Sequence, residues 1–174
     1  PMRFIPTLRS ALVLLPLTFA ALPAAAARWE FQAGRSYMDS YGANTAFIEA
    51  VFAPHPIGDT RFSWAPDVSV GWIDGRDVAR YNGHRYTTGD SIALLAGGVR
   101  LYAGDGDEWS RRFFLALQPV LHTGRTQALS SVYEFATTLG WQGRRFSVQI
   151  RHISNASLHE PNRGETMALV GVAF

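Results

Sequence analysis

The 174-residue chain contains no cysteine and no lysine. Without cysteine, neither a disulfide framework nor a thiolate metal site is available. The lack of lysine leaves arginine to carry all the fixed positive charge, and nothing functional follows from that alone. Excess charge of one sign is also missing. Setting aside Arg3 and Arg9, 14 arginines stand against 14 carboxylates. Such a balance gives no electrostatic footprint for nucleic acid. Past residue 27 there is no apolar run long enough for a membrane helix. His55, His84, His122 and His159 are scattered, so no metal cluster and no cofactor are expected.

The first 27 residues have the layout of an export signal. Arg3 and Arg9 provide positive charge, Ala11–Ala20 an apolar core, and Ala21–Ala27 a small-residue cleavage region. Cleavage is expected after Ala27, leaving 28–174 as a single domain. A membrane anchor is the weaker reading, because the apolar run is short and broken by Pro16 and Pro23. A small exported domain without disulfides needs another source of stability. A closed barrel in a membrane supplies one.

The remainder reads as strand-length runs separated by Gly, Asp, Asn and Pro. Eight strands are predicted, near 29–37, 43–53, 61–72, 89–101, 111–121, 129–140, 144–154 and 165–174. Side chains alternate along them. Phe62, Trp64, Pro66, Val68, Val70 and Trp72 share one parity; so do Phe113, Leu115, Leu117 and Pro119, and Tyr133, Phe135, Thr137 and Leu139. This period suits a soluble sandwich or a membrane barrel. An even strand count, aromatics near strand ends (Trp29, Tyr41, Trp72, Tyr102, Trp109, Trp141) and a last strand ending on Phe174 favour the barrel. The expected fold is all-β: an eight-stranded antiparallel transmembrane barrel of the bacterial outer membrane. Arg35, Asp67, Gln118, Glu134 and Gln149 are candidates to fill a polar interior.

Chemistry concentrates near the end of the chain. His152 and Ser154 are two residues apart, hence on one face of a strand, and they share the parity of Phe146, Val148 and Ile150. The pair therefore belongs to the apolar face. A histidine beside a serine can take its proton, and a carboxylate on the other ring nitrogen would orient the imidazole. Glu165, at the start of the last strand, is the expected carboxylate; Glu160 is the substitute.

The run His152-Ile153-Ser154-Asn155-Ala156, followed by Pro161-Asn162 and Gly164-Glu165, resembles the signature of the lipid A 3-O-deacylase family. The resemblance implies an eight-stranded outer-membrane barrel with a lipid-facing active site. Such an enzyme hydrolyses the 3-hydroxyacyl ester at position 3 of lipid A. It implies His152 as base, Ser154 as nucleophile, Glu165 as orienting acid and Asn155 at the oxyanion. Ala156 and Gly164 are candidate backbone donors there. Arg151 and Arg163 are candidate contacts for lipid A phosphates, against the plainer reading of interfacial arginines. The implied partners are lipopolysaccharide and outer-membrane lipids, with the barrel-assembly machinery during biogenesis; a homodimer would also suit a lipid-facing groove. Two departures stand out. Ser157 occupies a position where glycine would be comfortable, and the segment between Asn162 and Glu165 is one residue short of the family pattern. The rival readings are a non-enzymatic structural barrel, a phospholipase-type membrane hydrolase and a soluble periplasmic sandwich.

Overall fold

The computed structural model describes residues 27–81, 83, 85–105 and 108–174; the expected export signal lies outside them except for Ala27. Eight long strands form one antiparallel sheet: β1 (Arg28–Met38), β2 (Tyr41–Val51), β4 (Phe62–Ile73), β5 (Ile92–Ala103), β6 (Phe113–His122), β7 (Tyr133–Gln142), β8 (Phe146–Ser154) and β9 (Glu165–Ala173). The two-residue β3 (His55–Pro56) adds a short flap beside β4. The neighbour order is β2-β1-β9-β8-β7-β6-β5-β4, and pairing of β2 with β4 closes the ring. Closure leaves no long sheet edge to be protected. The ladder between β5 and β6 is interrupted between Ala96↔Val120 and Val99↔Leu117, where Pro119 has no N–H to donate.

Each of the eight strands was anticipated, with ends displaced by a few residues. The largest shift is at β7, expected from residue 129 and found from Tyr133. Residues 126–131 fold over the barrel mouth instead. Leu129 N–H donates to Thr126 Oγ1, and Ser131 N–H to Glu134 Oε1. These local bonds replace the missing ladder bonds.

Alternation decides what faces where. Phe31, Val70, Leu95, Leu117, Leu139, Val148, Ile150 and Val170 lie exposed on the outer wall. Glu30, Gln32, Glu49, Asp67, Arg100, Gln118, Glu134, Gln149 and Arg151 are fully buried inside. A soluble sandwich has the opposite arrangement, with apolar rows inward; this wall is built for lipid. Two of the sequence expectations change. Arg35 is exposed on the outer wall, hydrogen-bonded to Asn44 at 2.6 Å, because odd residues of this part of β1 point out. Tyr102 turns inward onto Phe114 and joins no aromatic girdle.

The interior is layered. One apolar cluster, including Met38, Ile73, Ile92, Leu129, Ile153 and Met167, fills the end that carries the long connections. A smaller one of Val51, Ala65, Tyr102, Phe114 and Ala116 fills the end near the chain termini. Between them lies an ionic ladder. Arg100 meets Glu49 at 2.9 Å and Asp67 at 3.0 Å, and Arg151 meets Glu49 at 2.8 Å. Both guanidinium groups also cover rings, Arg100 over Phe114 at 3.9 Å and Arg151 over Phe47 at 4.5 Å. The barrel is thus a packed scaffold, not a wide pore.

Val170 sits at mid-height of β9 on the outer wall. Val170→Arg should destabilise the barrel in a bilayer by about 2–4 kcal/mol, as for a charge at the membrane midplane. Reversible urea unfolding in lipid vesicles measures it, and a soluble protein would show almost no effect at so exposed a position.

Candidate functional site

β8 is held between β7 and β9 along its whole length, so its side-chain directions are rigidly set. Phe146, Val148, Ile150 and His152 point outward, and Ser147, Gln149, Arg151 and Ile153 inward. Ser154 is half-buried and ends the strand on the outward parity. His152 and Ser154 therefore lie on an otherwise apolar wall, at its rim nearest the long connections. Ser154 Oγ makes no hydrogen bond to His152 among the described residues, which is common for catalytic pairs without substrate.

The partner of His152 is not the one expected. Its Nδ1 lies 2.9 Å from Thr166 Oγ1, and His152 and Thr166 are cross-strand partners. Glu165 pairs with Ile153 and faces the interior. There it accepts hydrogen bonds from Arg76 at 3.0 and 3.1 Å and from Ser36. The expectation that Glu165 orients the imidazole is corrected by this register. From Phe146↔Val172 to Ile153↔Glu165 the pairing runs without a bulge, so Glu165 keeps the inward parity of Met167 and Leu169. A shift of one residue exchanges the faces of a strand, so this register alone decides which of Glu165 and Thr166 stands beside His152. Glu160 does not replace it: it is exposed in the connection and accepts from the Asn162 N–H at 3.3 Å.

Two further expectations are altered. Arg151 is 1 % exposed and bonded to Glu49 and Thr138 inside the barrel, so it cannot meet a headgroup. The Asn155 side chain is buried and braces its own loop, donating to the His159 carbonyl at 2.8 Å, while its backbone N–H donates to Asn162 Oδ1. Neither Asn155 donor is directed to the outer wall in this state. Of the two backbone candidates, the Gly164 N–H is already engaged by the Ala128 carbonyl at 2.9 Å. The Ala156 N–H has no acceptor among the described residues. Ala156 and Ser157 both adopt left-handed conformations, φ 54° and 63°. Two consecutive non-glycine residues there cost about 1–2 kcal/mol each, so the turn after Ser154 is held against its own preference.

Gly164 has a steric reason to be glycine. At φ +68°, a Cβ would come within 2.8 Å of His152 Cε1. The connection thus lies directly on the imidazole, fixing the ring between Gly164 and Thr166. Arg163, exposed beside it, pairs with Asp39 at 3.3 Å. Thr166, Arg76 and Ser36 were not singled out from sequence. Counting back by twos from Phe174 through Val172 and Val170 does reach Thr166, and that was the available signal.

Two substitutions separate the roles of neighbours on β9. Thr166→Ala should lower kcat several-fold with little change in KM or stability, by releasing the ring. Glu165→Gln should instead destabilise the barrel by up to about 3 kcal/mol, because Arg76 loses a buried partner. Paired kinetics and urea unfolding measure both, and a kcat loss without destabilisation in Glu165→Gln would reverse the assignment. Gly164→Ala should cut activity at least about tenfold in a folded barrel, through displacement of the imidazole; heat-modifiable electrophoretic mobility reports the folding.

Comparison with known proteins follows the same lines. The structure titled "Crystal structure of the outer membrane enzyme PagL" aligns with a TM-score of 0.60, covering 84% of this chain and 98% of that one at 15% identity. That identity speaks for the fold, a closed outer-membrane barrel. Among curated proteins, none matches the chain. The profile described as "Lipid A 3-O-deacylase (PagL)" matches residues 25–174, which is the entire barrel, and the chain therefore belongs to the lipid A 3-O-deacylase family of outer-membrane ester hydrolases.

Proposed function

We propose that this barrel removes the 3-hydroxyacyl chain ester-linked at position 3 of lipid A, with Ser154 as nucleophile and His152 as general base. The observation that carries the reading is the position of the pair: two polar, chemically competent side chains at the rim of a lipid-facing wall. With its termini toward the periplasm, the barrel presents this rim at the outer leaflet, where lipopolysaccharide lies. Its acyl chains would run down the wall past Ile150 and Val148.

With Nδ1 occupied by Thr166, Nε2 is left to take the Ser154 proton as Oγ attacks the ester carbonyl. The resulting oxyanion needs a donor placed in advance; the exposed, unengaged N–H of Ala156 is the best-supported group. Imidazolium then returns the proton to the departing sugar hydroxyl. Water, deprotonated by His152, attacks the acyl-serine; the imidazolium gives that proton to Ser154 Oγ as the 3-hydroxy acid leaves. A hydroxyl in place of the usual carboxylate orients the ring but does not neutralise its transient charge. Turnover should accordingly be slower than with an acidic partner, and Thr166→Glu or Thr166→Asp should raise it.

The refolded barrel, incubated in detergent with purified lipid A, should release one 3-hydroxyacyl group from position 3, read by mass spectrometry. Ser154→Ala should abolish the release while still folding. An unchanged lipid A profile from folded wild type would reject the reading, and release persisting in Ser154→Ala would reject the nucleophile.

A further inference from the structure

Between the β4–β5 connection and the β8–β9 connection lies an open groove of about 400 Å³, lined by Arg80, Tyr81, Arg85, Gln127, Pro161 and Arg163. Backbone hydrogen bonds tie the surrounding connections together. Gln127 N–H donates to the Thr87 carbonyl at 3.1 Å, Arg163 N–H to the Gln127 carbonyl at 3.4 Å and Gly164 N–H to the Ala128 carbonyl at 2.9 Å. Gln127 Nε2 also bonds the Tyr86 carbonyl at 2.6 Å. Three connections are thus joined into one platform.

The charge on this platform is uneven. The Arg80 and Arg163 guanidinium groups both lie on the Tyr81 ring, at 5.5 and 5.3 Å, and Arg85 lies over Tyr86 at 5.2 Å. Asp39 takes one of these charges, pairing with Arg163. Arg80 and Arg85 have no carboxylate within 4 Å among the described residues. Asp77 and Glu160 belong to the same connections but do not line the groove. Arg112, Arg144 and Arg145 line another concavity at the opposite end of the barrel; the three arginines here converge on the end that carries His152 and Ser154. Each guanidinium offers paired donors matched to a phosphate.

We propose that this groove is a headgroup subsite that binds a phosphate monoester on the sugar of the lipid substrate. The inference rests on the deacylase reading for the lipid's identity and deepens it. Arg163 immediately precedes Gly164, which lies on the His152 ring, so the groove begins beside the reacting centre, on the side away from the acyl wall. A phosphate held there fixes the height of the sugar relative to Ser154. Depth is otherwise poorly determined, since an apolar wall grips acyl chains without register. The subsite therefore selects which ester along the lipid reaches the serine.

The test reads binding, not turnover, so that it fails or succeeds independently of the deacylase reading. Ser154→Ala barrel in zwitterionic detergent at low salt is titrated by calorimetry with bisphosphorylated lipid A and with the same lipid after dephosphorylation. The phosphorylated lipid should bind about tenfold or more tightly, the scale of one charge-assisted hydrogen bond. Adding Arg80→Gln and Arg85→Gln should erase that preference while heat-modifiable mobility stays that of a folded barrel. Equal affinity for the two lipids overturns the proposal, as does a preference that survives in the arginine variant. Inorganic phosphate alone should bind far more weakly than the lipid. If it binds equally well, the groove is a site for free anions and the headgroup assignment falls.

Discussion

Everything in this molecule depends on the two-residue alternation of side chains in a closed sheet. Closure of β2 on β4 removes any freedom to slide, so each residue has one permitted face. The apolar face meets lipid, and the opposite face must bury what remains. Here that includes Arg100, Arg151, Glu49 and Asp67, all inaccessible to water. Isolated, each of these charges would be prohibitive; joined through Glu49 and covered by Phe47 and Phe114, they form a compensated layer. The apolar layers above and below that ladder hold the ends of the barrel shut.

The same constraint makes the site. His152 and Ser154 share a face because they are two apart, and that face is the lipid face because Phe146, Val148 and Ile150 are on it. Glu165 and Thr166 are adjacent, so only one of them can stand beside His152. The register of β9 on β8 chooses Thr166. The carboxylate is not wasted, since it anchors Arg76 and with it the β4–β5 connection to the barrel end. Tethering that connection also steadies the arginines farther along it, Arg80 and Arg85.

Chemistry and specificity are consequently supplied by different parts. The rigid wall provides nucleophile and base at a set height, while the connections provide the Ala156 turn, the Gly164 contact on the imidazole and the basic groove. Gly164 joins the two, being bonded to the β6–β7 connection through Ala128 and packed on His152. Strain in the left-handed Ala156–Ser157 turn is borne by the loop bonds around it, chiefly Asn155 to His159 and Leu158 to Asn155.

Strand number, the outward rows of β4, β6, β7 and β8, and the lipid-facing placement of His152 with Ser154 were legible in the chain, because a period of two is a local property. Burial of Asp67, Gln118, Glu134 and Gln149 followed from the same parity. What could not be read locally were relations across strands. Arg151 finds Glu49 only after the ring closes; from sequence it was a candidate headgroup contact or an interfacial arginine. Tyr102, by contrast, turns inward by plain alternation, on the parity of Ile92, Leu94 and Arg100. Asn155 is spent on loop bonds that no spacing rule reveals. Glu165 illustrates the boundary best: both rows of β9 carry apolar residues, so its face was ambiguous until pairing with β8 fixed it. The sequence by itself determined a barrel with a serine and a histidine on its lipid side, since alternation needs only neighbours in the chain. Tertiary structure alone decided which side chain holds the histidine and where the arginines gather, because those depend on register and on connections distant in sequence meeting in space.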